Sequence, residues 1–251
     1  MNRLILWVLL LAVSVNTASA QGQKKTTDGT GHKTSMRFTE KLLKFLGIGD
    51  SPSSLKGPGD EVVTGDVWVA DLGAKTTHAL TTAGGYRSPI FVSSGDILAL
   101  RGTDVMRIPP AGGEGKRLYS VAGIEKLVGC DSEDPGKVLA VLHGGTGGPR
   151  VAMLTVSTGA VSTIPYDASS SQDLQMVESL RGWTRKYGEE ELYVESQSKQ
   201  SFSGAVEWVD VFLRAGNAKA VDVSRCDGTN CGQPSLSGDK RLVAFVKAQD
   251  E

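Results

Sequence analysis

The sequence predicts an all-β fold built of repeated antiparallel units, and three observations carry that expectation. Short apolar runs of β-type composition recur from Val62 onward, each entered through a tight turn. The turns near Gly95, Gly136, Gly188 and Gly238 stand 41, 52 and 50 residues apart, a period suited to one four-stranded propeller blade per repeat. Composition agrees. With 31 Gly, 9 Pro and 39% apolar residues in 251, the chain suits many short elements joined by turns, and collagen, coiled coil and a multi-span membrane protein are excluded.

Taken in order, residues 1–20 read as a cleaved signal peptide: Met1-Asn2-Arg3 is a positive start, Leu4 to Val15 an apolar run, and Ala18-Ser19-Ala20 a small-residue cleavage signal. The run of 12 residues is shorter than the roughly 17 to 25 that span a bilayer, so stable membrane insertion after cleavage is not expected. The first cysteine is Cys130, so no N-terminal cysteine is there to carry a lipid. These features imply a periplasmic or secreted protein. Loss of Arg3 with the leader moves the net charge from −1 to −2, which gives no electrostatic case for nucleic-acid binding.

Residues 21–61 divide into three. Gln21 to Ser35 is polar without apolar period and is expected to be a disordered tail. Phe38, Leu42, Leu43, Phe45 and Leu46 fall near one face at helical spacing before Gly47 and Gly49, which predicts a short amphipathic helix. That helix either packs on the domain as a cap or docks on a membrane surface or a partner. Residues 50–60, with Pro52 and Pro58, read as a linker.

Residues 62–251 are read as the propeller domain. The first repeat runs through Ile97 to Leu100, Val105 to Ile108 and Lys116 to Val121. Val138 to Leu142, Val151 to Val156 and Ala160 to Pro165 supply the second, and Leu192 to Val194, Val206 to Leu213 and Ala218 to Val223 the third. The fourth stops after Leu242 to Val246 with two strands. Val67 to Leu72 and Lys75 to Leu80 form a strand pair without an inner pair before it, so the N-terminal strands are expected to complete the last of about four blades. Such closure removes open sheet edges.

The segment Gly65-Asp66-Val67-Trp68-Val69-Ala70-Asp71-Leu72, then Ala79-Leu80-Thr81 and Tyr86-Arg87-Ser88-Pro89-Ile90-Phe91, resembles the propeller repeat of TolB and related periplasmic proteins. Gln233-Pro234-Ser235-Leu236-Ser237-Gly238-Asp239-Lys240-Arg241-Leu242-Val243-Ala244-Phe245 resembles the same repeat's entry segment. The resemblance implies a propeller that works through protein contacts. Pro89 and Pro234 are expected where a strand begins, the place a missing amide donor costs least. Trp68, Trp183 and Trp208 are expected in the cores between blades.

Cys226 and Cys231 enclose the turn-forming Asp227-Gly228-Thr229-Asn230 and are expected to form a disulfide, leaving Cys130 as a small buried apolar residue. His143-Gly144-Gly145-Thr146-Gly147-Gly148 has the glycine content of a phosphate or oxyanion loop, without the Lys-Ser or Gly-x-Ser-x-Gly that would complete either, and reads as a hairpin turn. Asp131, Glu133 and Asp134 read as a solvated acidic turn rather than a calcium loop, and His32, His78 and His143 lack metal-ligand spacing. No cofactor, metal or catalytic set is assigned.

The reading that follows is a non-catalytic propeller that binds an envelope protein or peptide through its loops. Arg87, Asp131, Arg181 and Asp227, which precede or occupy turns in successive units, are the candidate binding positions. The alternative is an envelope enzyme, a lyase or hydrolase using polar groups in the propeller channel. A homodimer assembling a larger ring is a further possibility.

Overall fold

The computed structural model describes residues 62–131, 134–145, 148–202 and 204–249, together with Phe38 and Leu42. The expected leader, polar tail and linker, and the rest of the N-terminal helix, lie outside the described residues. Strands β1 (Gly65–Asp71) and β2 (Thr76–Ala79) come first in the chain. Blade 1 is β3 (Tyr86–Phe91), β4 (Ile97–Arg101), β5 (Asp104–Ile108) and β6 (Lys116–Ser120). Blade 2 is β7 (Ile124–Cys130), β8 (Lys137–Leu142), β9 (Arg150–Thr155) and β10 (Val161–Ile164). A helix, α1 (Ser171–Arg181), precedes blade 3, which is β11 (Arg185–Tyr187), β12 (Glu190–Ser201), β13 (Gly204–Ala215) and β14 (Val221–Asp222). Blade 4 begins with β15 (Cys231–Leu236) and β16 (Leu242–Ala248) and is completed by β1 and β2.

The closure expected from the sequence is therefore present. β1 pairs with β16 along its whole length, from Gly65 opposite Ala248 to Asp71 opposite Leu242. A Cβ at Gly65 would fall on the Lys247 carbonyl, so this close approach requires glycine. The four repeat glycines, Gly95, Gly136, Gly188 and Gly238, all lie between the first and second strands of their blades.

Strand alternation explains how the blades stack. In β4, Leu98 and Leu100 face blade 2, where they meet Leu127, Val138, Ala140 and Leu142. Ile97 and Ala99 point the other way, toward Val67, Val69 and Ala244 of blade 4. In blade 4, Ala70, Val243 and Phe245 turn from blade 1 toward Leu192, Val194 and Val211 of blade 3. The second strands of blades 1, 2 and 4 are thus buried on both faces, which is why these runs are continuously apolar.

The blade 2–blade 3 junction is built differently. Leu139, Val141 and Val151 on the second face of blade 2 are covered by Phe38, Leu42 and the α1 residues Met176, Val177 and Leu180, with no blade 3 residue in that cluster. Phe38 and Leu42 are helical, 4% and 0% exposed, and the Phe38 ring lies 5.6 Å from Tyr166, so these two residues pack on the domain there. α1 begins at Ser170, whose side chain accepts from the Asp173 amide at 3.3 Å. Its C-terminal carbonyls receive one cation from each side. Lys126 of β7 donates to the carbonyls of Arg181 and Gly182, and Arg185 of β11 donates to those of Ser179 and Leu180.

The prolines sit differently from expectation. Pro89 and Pro234 are the fourth residues of β3 and β15, inside the strands. Both fall where the ladder shifts register, between Arg87 and Ile90 and between Gly232 and Ser235, so no ladder bond is lost to the missing amide. The preceding residues, Ser88 and Gln233, take positive φ of 51° and 57°. Gln233 then reaches across the centre, its Oε1 accepting from the Ser88 amide at 2.6 Å.

Trp68 packs at the edge of the blade 3–blade 4 core as expected. Trp183 is buried beneath Lys126, whose Nζ lies 3.4 Å from the ring centroid, and Trp208 stands half-buried outside every blade core. Cys130 is half-buried against the blade 1–blade 2 core, and burial, with Asp131 beside it, pushes its thiol up to about 11.

Candidate protein-binding face

All four innermost strands, β3, β7, β11 and β15, start at one end of the molecule. Same-level contacts establish this. Arg87 near the start of β3 donates to the carbonyl of Ile124 at the start of β7, and the Leu236 amide at the end of β15 donates to the Tyr187 hydroxyl at the end of β11. The starting end carries the loops between blades, including α1 and the Cys226–Cys231 loop.

The same end carries a feature the sequence reading missed. β12 and β13 are 12 residues each and pair from Glu190 opposite Ala215 to Ser201 opposite Gly204. β11 pairs with β12 only at Glu190–Leu192, and β14 pairs with β13 only at Phe212 and Leu213. The part from Glu195 to Val209 therefore extends past the blade as a two-stranded arm, with no strand on either edge among the described residues. Phe202 in its turn is fully exposed, and Val206 is 43% exposed. An unpaired strand edge presents a row of free N–H and C=O groups to an incoming chain.

The base of the arm is held by the cysteine loop. The expected Cys226–Cys231 disulfide is formed, with Cα atoms 6.3 Å apart. Inside that loop, Asn230 Oδ1 accepts from the Val209 amide at 3.0 Å, and the Asn230 carbonyl accepts from Ala248 of β16 at 2.9 Å. Buried Asp210 completes the anchor. Its Oδ1 accepts from Ser224 Oγ and the Cys226 amide, both at 2.8 Å, and its Oδ2 from Trp208 Nε1 at 2.6 Å.

This acid–hydroxyl lock recurs. Asp66, near the start of β1, accepts from Thr81 Oγ1 and the Gly84 amide, each at 2.9 Å, and Asp104, at the start of β5, accepts from Ser120 Oγ. The pairs are 15, 16 and 14 residues apart for Asp66, Asp104 and Asp210, and each ties the third strand of a blade to the end of its fourth strand or the loop just after it. An acid before an apolar run with Ser or Thr at that spacing is the signal that would have revealed it.

Of the four positions singled out from sequence, three lie at the arm end. Arg87 and Arg181 converge on Glu125. Arg181 Nη2 lies 2.7 Å from Glu125 Oε1, and Arg87, whose partial burial lowers its pKa against the raising effect of Glu125, donates to the carbonyls of Gly102 and Ile124. Asp227 is exposed in the disulfide loop with φ of 46° and shares the end without touching that pair. Asp131 lies at the opposite end, where its amide closes the β7–β8 hairpin on the Lys137 carbonyl. The four positions thus do not form one site. Glu125, which joins two of them, was not singled out, because it meets Arg181 across 56 residues of chain.

Asp134 pairs with Lys137 at 2.9 Å in the acidic turn, and Glu133 lies outside the described residues. His143 and Gly144 enter the β8–β9 connection as the hairpin reading expects. Among the described residues no group of three or more His, Cys, Asp or Glu is placed to hold a metal, and no helix is long and apolar enough to cross a membrane.

No protein-family model and no curated protein sequence matches the chain. Among solved structures it is similar to a putative TolB from Agrobacterium tumefaciens, at 11% identity and a TM-score of 0.37 over 74% of this chain and 62% of that one. TolB from Acinetobacter baumannii aligns at 15% identity and a TM-score of 0.34 over 74% of this chain and 49% of that one. The AtxE2 isopeptidase aligns at 13% identity and a TM-score of 0.27, covering 67% and 31%. The chain therefore spans less than two thirds of the length of these structures, and the propeller architecture rests on its own strand pairing.

Proposed function

We propose that this is an exported TolB-like propeller that binds a protein or peptide partner at its arm end. The observation that carries the reading is the β12–β13 arm: two edges that no other strand pairs among the described residues and a fully exposed Phe202, held at the base by a disulfide loop. An extended peptide can add as a further strand along such an edge, with backbone hydrogen bonds supplying affinity and side chains such as Phe202 and Val206 supplying selectivity. Asp227 offers a charge on the same face. Export is supported by the leader-like features of residues 1–20 and by the disulfide, a bond that persists in oxidising compartments.

The test is capture from an envelope extract of the source organism by the immobilised, oxidised protein. Wild type should retain one saturable protein, competed by free protein, that Phe202→Glu retains at least about tenfold less well. Retention unchanged in Phe202→Glu, or turnover of a substrate by the purified protein, would overturn the reading.

A further inference from the structure

At the end opposite the arm, the outer strands of blades 3 and 4 part to leave a cleft of about 400 Å³. Its wall is apolar. Leu213, Val221 and Val223 line it from blade 3, and Ala70 and Leu72 from blade 4, with Val221 left 56% exposed at the mouth. Its rim is cationic: Lys75, Lys219 and Arg225 also line the cleft, all exposed, and none enters an ion pair among the described residues.

Two carboxylates, Asp71 and Asp222, also line the cleft, and one oxygen of each is committed to its own turn. Asp71 Oδ1 accepts from the amides of Gly73 and Ala74, each at 2.8 Å. Asp222 Oδ1 accepts from the amides of Ser224 and Arg225, each at 3.0 Å. Oδ1 of each therefore faces backbone donors, and with three cations against these two carboxylates the charged side chains lining the cleft leave a net charge of +1. The Arg225 guanidinium is also held in place. Lys75 and Arg225 both have left-handed backbone, at φ 57° and 52°, a conformation uncommon for such residues, and Arg225 Nη1 donates to the Lys75 carbonyl at 3.2 Å across the cleft.

We propose that this cleft binds an anionic amphiphile, with a single hydrocarbon chain on the Leu72–Leu213–Val221 wall and the acidic head against Lys75, Lys219 and Arg225. A neutral head would leave the net positive charge of the rim unanswered and a cationic head would be repelled by it, and a ligand without a chain would leave the apolar wall wet. A volume near the small end of ligand pockets suits one chain rather than two. The carboxylate of a free fatty acid and the phosphate of a membrane lipid share this chemistry.

Calorimetric titration of the full chain with decanoate and with decyltrimethylammonium, of equal chain length and opposite charge, separates the contributions. Decanoate should bind at least about tenfold more tightly. Lys75→Glu with Lys219→Glu should weaken decanoate about tenfold or more, and Val221→Asp should abolish its binding. All three positions are exposed, so thermal melts matching wild type will show that the variants fold. Sedimentation with phosphatidylglycerol vesicles distinguishes the sources. Decanoate binding without sedimentation identifies a soluble amphiphile, and sedimentation lost in Val221→Asp identifies a membrane lipid. Equal affinity for both head groups, decanoate binding unchanged in Val221→Asp, or no binding in either assay overturns the proposal.

Discussion

Replacing Asp210 by alanine tests how the arm is anchored, because one buried carboxylate collects three donors there. Its Oδ1 holds Ser224 Oγ and the Cys226 amide at 2.8 Å, and its Oδ2 holds Trp208 Nε1 at 2.6 Å. In Asp210→Ala, Ser224 keeps Asp222 at 3.2 Å and water replaces the partner of half-buried Trp208, but the buried Cys226 amide loses its acceptor. Hydrogen bonds to a charged group are worth about 1.5–3 kcal/mol each, and a stranded buried donor costs about 1–3 kcal/mol. Discounting the Trp208 bond for its solvent exposure leaves about 3–4 kcal/mol. For a domain of this size that corresponds to a fall of about 10 °C in Tm. Thermal unfolding followed by circular dichroism measures it, with Glu207→Ala, exposed on the same strand, as a control expected within about 2 °C of wild type. Asp210→Asn keeps an acceptor for Cys226 and should lose about half as much. An Asp210→Ala melt within about 2 °C of wild type would refute the reasoning.

Three further outcomes are expected. Reducing Cys226–Cys231, or replacing both by serine, should cost about 2 kcal/mol from the short closed loop and speed hydrogen exchange at the Val209 amide, which Asn230 holds; unchanged protection there would contradict the brace. Lys126→Met removes the cation that bonds the Arg181 and Gly182 carbonyls, so α1 amides should exchange through local opening well before the blade strands, whereas uniform protection would show that α1 needs no such anchor. Burial and Asp131 raise the Cys130 thiol to about 11, so thiolate is scarce at pH 8 and its alkylation rate should climb about tenfold per unit up to pH 10; a plateau below about pH 9.5 would contradict the burial effect.

Much of the fold was legible because it is written in local chemistry. Turn glycines at blade spacing marked the repeat, and the unpaired strands Val67 to Leu72 and Leu242 to Val246 pointed to each other because each lacked what the other supplied. The disulfide was legible from a turn-forming tetrapeptide between two cysteines. What escaped has identifiable causes. The arm strand from Glu195 to Ser201 is polar without alternation, since neither of its faces packs on a core, and periodicity reports burial rather than pairing. α1 was hidden between blades by Gln172, Gln175 and Glu178, although Ser170 followed by Asp173 and the spacing of Met176, Val177 and Leu180 were there to be read. The convergence of Arg87 and Arg181 on Glu125 depends on contacts between blades, which no local pattern encodes. Trp208 is expected in a core as a large aromatic in a strand-like run, and its position on the arm follows from a hairpin that the pattern does not reveal.

The central claim is that the arm end is where this propeller meets a protein partner. Incorporating a photo-crosslinking residue in place of Phe202, and separately in place of Val161, which is 46% exposed on the outer strand of blade 2, tests it in the envelope of the source organism. The account predicts one discrete protein adduct from position 202 and none from position 161. The same adducts from both positions, or none from position 202, would contradict it.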